Sequence, residues 1–374
     1  MKPAEHYRGR EQTYLKHFFL EKYLERVAYK VGSFATEFVY VDGFSGPWRT
    51  EDPSFEDSSF IIAINKLRQV RDGLKTAMKR SPKIRCVFVE PDPAAYPLLV
   101  QATGSVTDIK VKTINSEFEA AIPEVLRIVG RAFSLVFIDP TGWTGFGLRQ
   151  IAPILRHQPG EVLVNFMFDH INRFLDTPDP EMSFDDLFGG PGWRPAIQAS
   201  PKREDAIIKF YTQRMKQAGG FDLGTSTRIQ KPLSDRSYFY LVYGTRHPQG
   251  LLEFRKVEQK EVQEQERVRL DAQQFDRITK TGQSELFGAD EPMDLGLPSF
   301  ENERRENLES AEQALIALLR QRAEVDYEDA RTVMLEFPLV WEGDVQRVVA
   351  ARANVLGMKP RERVPKPGHR LKKK

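Results

Sequence analysis

The chain has 374 residues, 40% hydrophobic and 29% charged, enough for one large α/β domain and a smaller module. No run is long and apolar enough to span a bilayer, and the single cysteine, Cys86, excludes an internal disulfide or a zinc site built on several thiolates. The net charge of +2 hides an asymmetry: from Lys359 to Lys374 there are eight Lys or Arg and one Glu, so the rest of the chain holds 47 basic against 52 acidic residues.

The first ten residues are polar and lack the apolar middle of a signal peptide, so a cytoplasmic location is expected. Residues 11–31 have helical spacing, with Leu15, Phe18, Phe19, Tyr23, Leu24 and Val27 on one face. The β-prone run Glu37-Phe38-Val39-Tyr40-Val41 ends at Asp42-Gly43-Phe44-Ser45-Gly46-Pro47. A helix over 59–78 leads to a second strand over 84–89, closed by Glu90. A helix over 93–101 leads to a third strand over 109–114, closed by Asn115-Ser116-Glu117. A helix over 117–129 precedes a fourth strand over 134–138, closed by Asp139-Pro140-Thr141-Gly142. A helix over 148–156 precedes a fifth strand over 161–168.

This alternation, with strands as apolar as Leu135-Val136-Phe137-Ile138, predicts a mostly parallel, doubly wound sheet with helices on both faces. Residues 176–200 read as an insertion, 202–217 as a helix, and 225–232 with 237–245 as a terminal hairpin containing an antiparallel edge strand. A charged helix follows over 251–275, its run 258–269 read as a solvated face. The expected organisation is a catalytic-type domain over 1–278, a linker over 279–306, a helix-turn-helix or winged-helix-like module over 307–358 and a basic tail over 359–374.

Ligands of such sheets bind outside the carboxyl ends of the strands, so the residues closing each strand are the candidates. Gly43 and Gly46 permit a tight turn and close approach to a ligand. The turn has neither three spaced glycines, which argues against a nicotinamide oxidoreductase, nor a Gly-Lys-Ser/Thr phosphate loop. A carboxylate such as Glu90 can accept hydrogen bonds from ribose hydroxyls, or cap a helix. Ser116 and Glu117 can meet an adenine amine while Phe118 packs on the ring; alternatively they begin a helix over a core phenylalanine. Asp139 ends a very apolar strand, and together with the Pro140 carbonyl offers two acceptors for an amine. Trp143 can stack on a planar base; alternatively Asp139 caps the following loop and Trp143 sits in the core. The six histidines are too scattered for a metal site.

These residues resemble class I S-adenosylmethionine-dependent methyltransferases, a Rossmann-like fold ending in an antiparallel hairpin. Asp139-Pro140 is similar to the Asp-Pro-Pro-Tyr signature of amino-methyltransferases acting on nucleic acid bases, with Thr141 replacing the second proline and Trp143 one residue beyond the aromatic position. Three segments together resemble the bacterial three-Cys-motif partner protein family: Val39-Tyr40-Val41-Asp42-Gly43-Phe44-Ser45-Gly46-Pro47, Phe137-Ile138-Asp139-Pro140 and Tyr243-Gly244-Thr245-Arg246-His247-Pro248. The resemblance covers about residues 10–275. It implies S-adenosylmethionine as cofactor, bound by Asp42, Gly43, Phe44, Ser45, Gly46, Glu90, Ser116, Glu117 and Phe118. It implies Asp139 and Pro140 as catalytic residues, Thr141 and Trp143 at the substrate, and a cysteine-motif partner protein related to radical S-adenosylmethionine enzymes. The alternative is a non-catalytic module in which the same fold docks a partner.

The basic tail suits a polyanion such as nucleic acid, or simply aids solubility. Gln283-Ser284-Glu285-Leu286-Phe287 has the form of a peptide that docks on bacterial sliding clamps, a short pattern that chance also produces. Cys86 reads as a buried small hydrophobe, and His170 as a capping residue at the crevice rim.

Overall fold

The computed structural model describes residues 1–46, 55–177, 181–281, 297–359 and 361–374. Pro47 and the peptide 283–287 lie outside them. The chain forms two compact units, one of Met1–Lys231 with Arg236–Arg246, the other of Pro232–Asp235 with His247–Lys374. No helix among the described residues is long and apolar enough to cross a membrane.

The first unit runs α1 (Glu11–Gly32), β1 (Glu37–Asp42), α2 (Ser59–Met78), β2 (Lys83–Val89), α3 (Tyr96–Gly104), β3 (Lys110–Ile114), α4 (Phe118–Val129), β4 (Phe133–Ile138), α5 (Leu148–Leu155) and β5 (Gly160–Phe166). Three short helices follow, α6 (Phe168–Phe174), α7 (Glu181–Leu187) and α8 (Trp193–Gln198). Then come α9 (Arg203–Gly219), β6 (Leu223–Gln230) and β7 (Ser237–Thr245). The strands form one sheet in the order β3-β2-β1-β4-β5-β7-β6. β1 to β5 are parallel, and β7 is antiparallel to both β5 and β6. This is the Rossmann-like, mostly parallel sheet expected, with one correction: the antiparallel strand is interior, and β6 forms the edge.

The apolar runs are explained by burial on both faces. Val39, Val41, Val87, Val89, Val136 and Ile138 join the core that also takes residues of α4, α5 and α9. Their alternates Phe38, Tyr40 and Phe88 face the other way, where Phe88 meets Phe60 of α2 with ring centroids 5.9 Å apart. Burying each such side chain contributes about 1.5–3 kcal/mol. Cys86 is buried among them, and burial pushes its thiol well up.

α1 lies on this second face. Leu15, Phe19, Tyr23, Leu24 and Val27 are buried as the spacing predicts, whereas Phe18 is only half-buried. The Tyr23 hydroxyl reaches Glu161 of β5 and Tyr243 of β7, each at 2.6 Å, and Thr245 donates to the same carboxylate at 3.0 Å. Burial raises the Glu161 carboxyl. These bonds tie the amino-terminal helix across two strands and fix its height on the sheet.

The second unit contains α10 (Pro248–Thr281), α11 (Glu301–Gln321), β8 (Val325–Asp326), α12 (Tyr327–Leu335), α13 (Glu342–Arg352), β9 (Ala353–Leu356) and β10 (Arg370–Lys373). Its sheet has the order β8-β10-β9, antiparallel throughout. Helix-strand-helix-helix-strand-strand is the order of a winged helix, the β9–β10 connection being the wing. Two expectations change. α10 groups with this unit and not with the first domain. Residues 370–373 are its central strand, so the chain end is not a free tail.

The run 258–269 is also corrected. Glu258, Glu261, Gln265, Glu266 and Arg269 are all buried. Arg255, fully buried, donates to the Leu335 and Glu336 carbonyls at the end of α12 and to Glu258 at 2.5 Å. The other Glu258 oxygen accepts from the Leu339 amide and the Trp341 indole. Charge on one helix face is compatible with burial when each group finds a partner, which periodicity does not report. Burial holds the Glu258 carboxyl up at about 7, against the pull of Arg255. The folded chain therefore binds this proton more tightly than the unfolded one, and stability falls as pH rises from 4.5 to about 7. Glu258→Gln is expected to remove that slope in urea unfolding followed across the window; parallel profiles for the two proteins would refute the assignment.

Candidate functional site

The strand register lines up the candidate residues. Asp42 pairs with Phe88 on one side and Phe137 on the other, so Glu90 and Asp139 each stand two residues farther along, flanking the turn after β1. Ile138 pairs with Val164, which sets Asn165 beside Asp139.

The turn after β1 is pinned on both sides. The Gly43 amide donates to the Phe137 carbonyl at 2.9 Å, and the Ser45 amide to the Val89 carbonyl at 2.8 Å. Asp42 is fully buried. One carboxylate oxygen accepts the Ser59 hydroxyl at 2.7 Å, the other the Phe44 amide at 3.1 Å, and the Ser45 hydroxyl donates to the Asp42 carbonyl. Burial, against these bonds, raises the Asp42 carboxyl to about 6. Asp42 thus braces the turn from behind. Gly46 is half-buried.

Glu90 is fully buried. One of its oxygens accepts the Asp92 amide at 2.7 Å, and Asn115 donates its side-chain amide to the Glu90 carbonyl at 2.8 Å. Ser116 turns its hydroxyl onto the Glu117 carbonyl, and Glu117 is the exposed N-cap of α4. Phe118 corrects an expectation. It is 0% exposed and packs under the Gly43 turn, so its ring is covered by protein and supports the turn from below.

Asp139 is held by a side chain at each carboxylate oxygen. Lys16 of α1 places its ammonium 2.5 Å from one carboxylate oxygen, and Asn165 donates its amide to the other at 2.6 Å. The Asn165 Oδ1, in a residue 2% exposed, meets no donor among the described residues. Pro140 is buried and Thr141 exposed. Half-buried Trp143 packs against His170, Phe174 and Phe184, with centroids 4.8, 5.1 and 5.4 Å away. His170 is therefore a ring neighbour of Trp143, while Asp169 beside it holds Lys231 and Arg173.

Sequence reasoning missed Lys16 and Asn165. Lys16 lies 123 residues from Asp139 on a helix whose charged face gave no sign of it. Asn165 did leave a signal, an amide interrupting the run Val162-Leu163-Val164 at the strand end. Among the described residues no cluster of three or more His, Cys, Asp or Glu is placed to hold a metal.

One residue fits S-adenosylmethionine by its chemistry: at the end of β2, beside the turn, stands the Glu90 carboxylate, the acceptor type a ribose diol requires. A Cβ on Gly43 would stand 2.8 Å from the Phe118 ring, so packing against Phe118 is what demands glycine there.

No family model matches the chain, and no curated protein does. Thirteen solved chains match. Protein LPL1258 from Legionella pneumophila is 13% identical, with 61% of this chain and 84% of that one covered and a TM-score of 0.36. The cyclopropane synthase MmaA2 from Mycobacterium tuberculosis is 8% identical, with 69% and 79% covered and a TM-score of 0.27. Loganic acid methyltransferase, solved with SAH, is 8% identical, with 82% and 92% covered and a TM-score of 0.30. All three are too distant to say anything of this chain's substrate.

The Gly43 contact is testable by stability alone. Gly43→Ala is expected to cost about 1–3 kcal/mol in urea unfolding, the usual range for an overpacked core. In a double-mutant cycle with Phe118→Leu the two losses should be less than additive. Additive losses would show that Phe118 is not the obstacle.

Proposed function

We propose that this chain is an S-adenosylmethionine-dependent methyltransferase acting on an amine nitrogen, with the exocyclic amine of a nucleic acid base as acceptor. The observation that carries the reading is the Asp139 carboxylate at the end of β4, which already holds a nitrogen, that of Lys16, at 2.5 Å. Beside it the buried Asn165 Oδ1 meets no donor among the described residues, an acceptor placed for an incoming N–H.

When bound, the cofactor supplies an electrophilic methyl group. The Gly43 turn, braced by Asp42 and Ser45 and continued by Phe44 and Gly46, brings bare backbone to its amino-acid end. Glu90 takes the ribose hydroxyls, and Ser116 and Glu117 border the adenine. Asp139 and the Pro140 carbonyl accept the N–H groups of the substrate amine, and the Asn165 Oδ1 offers a third acceptor. Holding the amine by its hydrogens turns its lone pair outward and draws off the positive charge that develops as nitrogen is alkylated, with the carboxylate as first receiver of the released proton. Such a site works by orientation and preorganised charge. Trp143, backed by His170 and Phe174, presents an aromatic surface to a planar base, with Thr141 at the rim; a base in a duplex must first be flipped out.

The sequence resemblance supports two partner proposals. One is a cysteine-motif protein related to radical S-adenosylmethionine enzymes. The weaker is a sliding clamp at 283–287. The rival reading, a non-catalytic docking module, draws on Lys16 filling the Asp139 carboxylate and on Thr141 in place of a second proline.

Titration calorimetry with S-adenosylmethionine and a methyl-transfer assay on nucleic acid separate these readings. Asp139→Ala is expected to keep cofactor affinity within a few-fold and to lose roughly 10²–10³ in transfer rate. Transfer at the wild-type rate in the variant would remove Asp139 from the mechanism. Cofactor binding without transfer in the wild type would favour the docking module, and no binding would end both.

A further inference from the structure

We infer that the winged-helix part of the second unit is a docking surface for B-form DNA, with the wing cations on the phosphates and α13 turned to the major groove. This deepens the nucleic-acid reading above by naming the duplex form and the residues that hold it.

The wing, residues 357–369, contains a single acid, Glu362. Its carboxylate is spent inside the loop. It accepts the Lys359 amide at 2.9 Å, His369 Nε2 lies 3.0 Å away, and Lys366 pairs with it. His369, 5% exposed, in turn passes its carbonyl to the Tyr327 amide. The loop is thus folded around its one negative charge, and its cations are left on the outside.

On β10, Arg370 and Lys372 share Glu324. The Lys374 ammonium caps the carbonyls of Ala350 and Ala351 near the end of α13, at 2.9 and 2.8 Å. That contact joins the end of β10 to α13 on one surface. Arg361, Arg363 and Lys373 are exposed, and no acid among the described residues pairs with them. Val364 is 49% exposed at the same loop, an apolar group between cations.

α13 presents Gly343, Arg347, Ala350, Ala351 and Arg352 to solvent, while Val345, Val348 and Val349 face inward. Apart from the arginines this outer face is short, so a helix about 10–12 Å across can approach a groove about 12 Å wide. The deep, narrow major groove of A-form RNA does not admit a helix. Arg347 and Arg352 are paired with Asp344 and Glu312, so Arg361, Arg363 and Lys373 are the exposed cations without acid partners, and such cations are the groups that release counterions from a duplex.

The test uses the full chain and fluorescence anisotropy with a labelled random-sequence DNA duplex and the same sequence as an RNA duplex. The triple variant Arg361→Ala, Arg363→Ala, Lys373→Ala should bind DNA at least about tenfold more weakly at moderate salt. Its slope of log affinity against log salt should be shallower by roughly 2–3, about 0.9 per lost phosphate contact. The pair Arg305→Ala, Arg320→Ala, on exposed positions of α11, should bind as wild type; binding is read without cofactor, so failure of methyl transfer in the first unit leaves this result unchanged. The RNA duplex should bind more weakly than DNA. An unchanged affinity and slope in the triple variant overturns the proposal, as does an equal loss in the α11 pair. Equal binding of the RNA duplex overturns the groove assignment. Melting curves of all variants exclude unfolding as the cause of any loss.

Discussion

A parallel sheet covered by helices on both faces disfavours charge along its strands, so apart from groups with partners of their own, such as Glu161, the polar groups collect where the strands end. In this chain Asp42, Glu90 and Asp139 close β1, β2 and β4, Asn165 stands next to the end of β5, and the strand register brings them to the carboxyl end of the sheet. The Asp42 carboxyl feels both Asp139 and Lys16. The interior neighbours of these groups are apolar, so each takes its hydrogen bonds from the turn beyond it, from another strand end or from a helix packed over the sheet, as Asp42 does from Ser59 of α2 and Asp139 from Lys16 of α1. The candidate site is the consequence of that requirement, and the same bonds that satisfy the strand ends also hold the turns in shape.

The polar groups then divide by what they still have to offer. Asp42 has committed one oxygen to the turn and the other to Ser59 of α2, and Phe118 has its ring closed off beneath Gly43, so both act as supports. Glu90 and Asp139 stand farther out. Asp139 is held between an ammonium and an amide, which keeps its carboxylate in one orientation and leaves the Asn165 Oδ1 as a buried acceptor beside it. Lys16 is carried to Asp139 by α1, the helix whose Tyr23 bonds Glu161 and Tyr243.

The second unit meets the same constraint by pairing its charges inside. Arg255 and Glu258 are both removed from water and are compensated by backbone groups of α12, by Leu339 and by Trp341. Arg304 lies 4.1 Å over the Trp341 ring and grips Asp344 with two bonds of 2.9 Å, which fastens α11 to the start of α13. Buried pairs of this kind add little net stability but penalise any packing that leaves one member alone. The wing follows a similar rule on the surface, where a single glutamate organises the loop.

The alternation of apolar runs and helical spacing was enough to read the sheet, its parallel core and the strand ends at Asp42, Glu90 and Asp139, because doubly buried strands leave a local, uninterrupted signature. The same signature placed Cys86 in the core and the β7 run at 237–245. It did not show that β7 lies inside β6, since pairing order is settled by contacts between strands and not within them. It misread the charged face of α10 as solvated, because a helix wheel records spacing and not partners. It treated the chain end as a tail, because a four-residue strand of Arg and Lys has no hydrophobic pattern beyond Leu371. Local sequence by itself determined which residues close the strands of this protein. Only the tertiary structure decided that Lys16, carried in by a helix 123 residues away, should meet Asp139, since a charge pair across such a span exists only once both elements are packed on the same sheet.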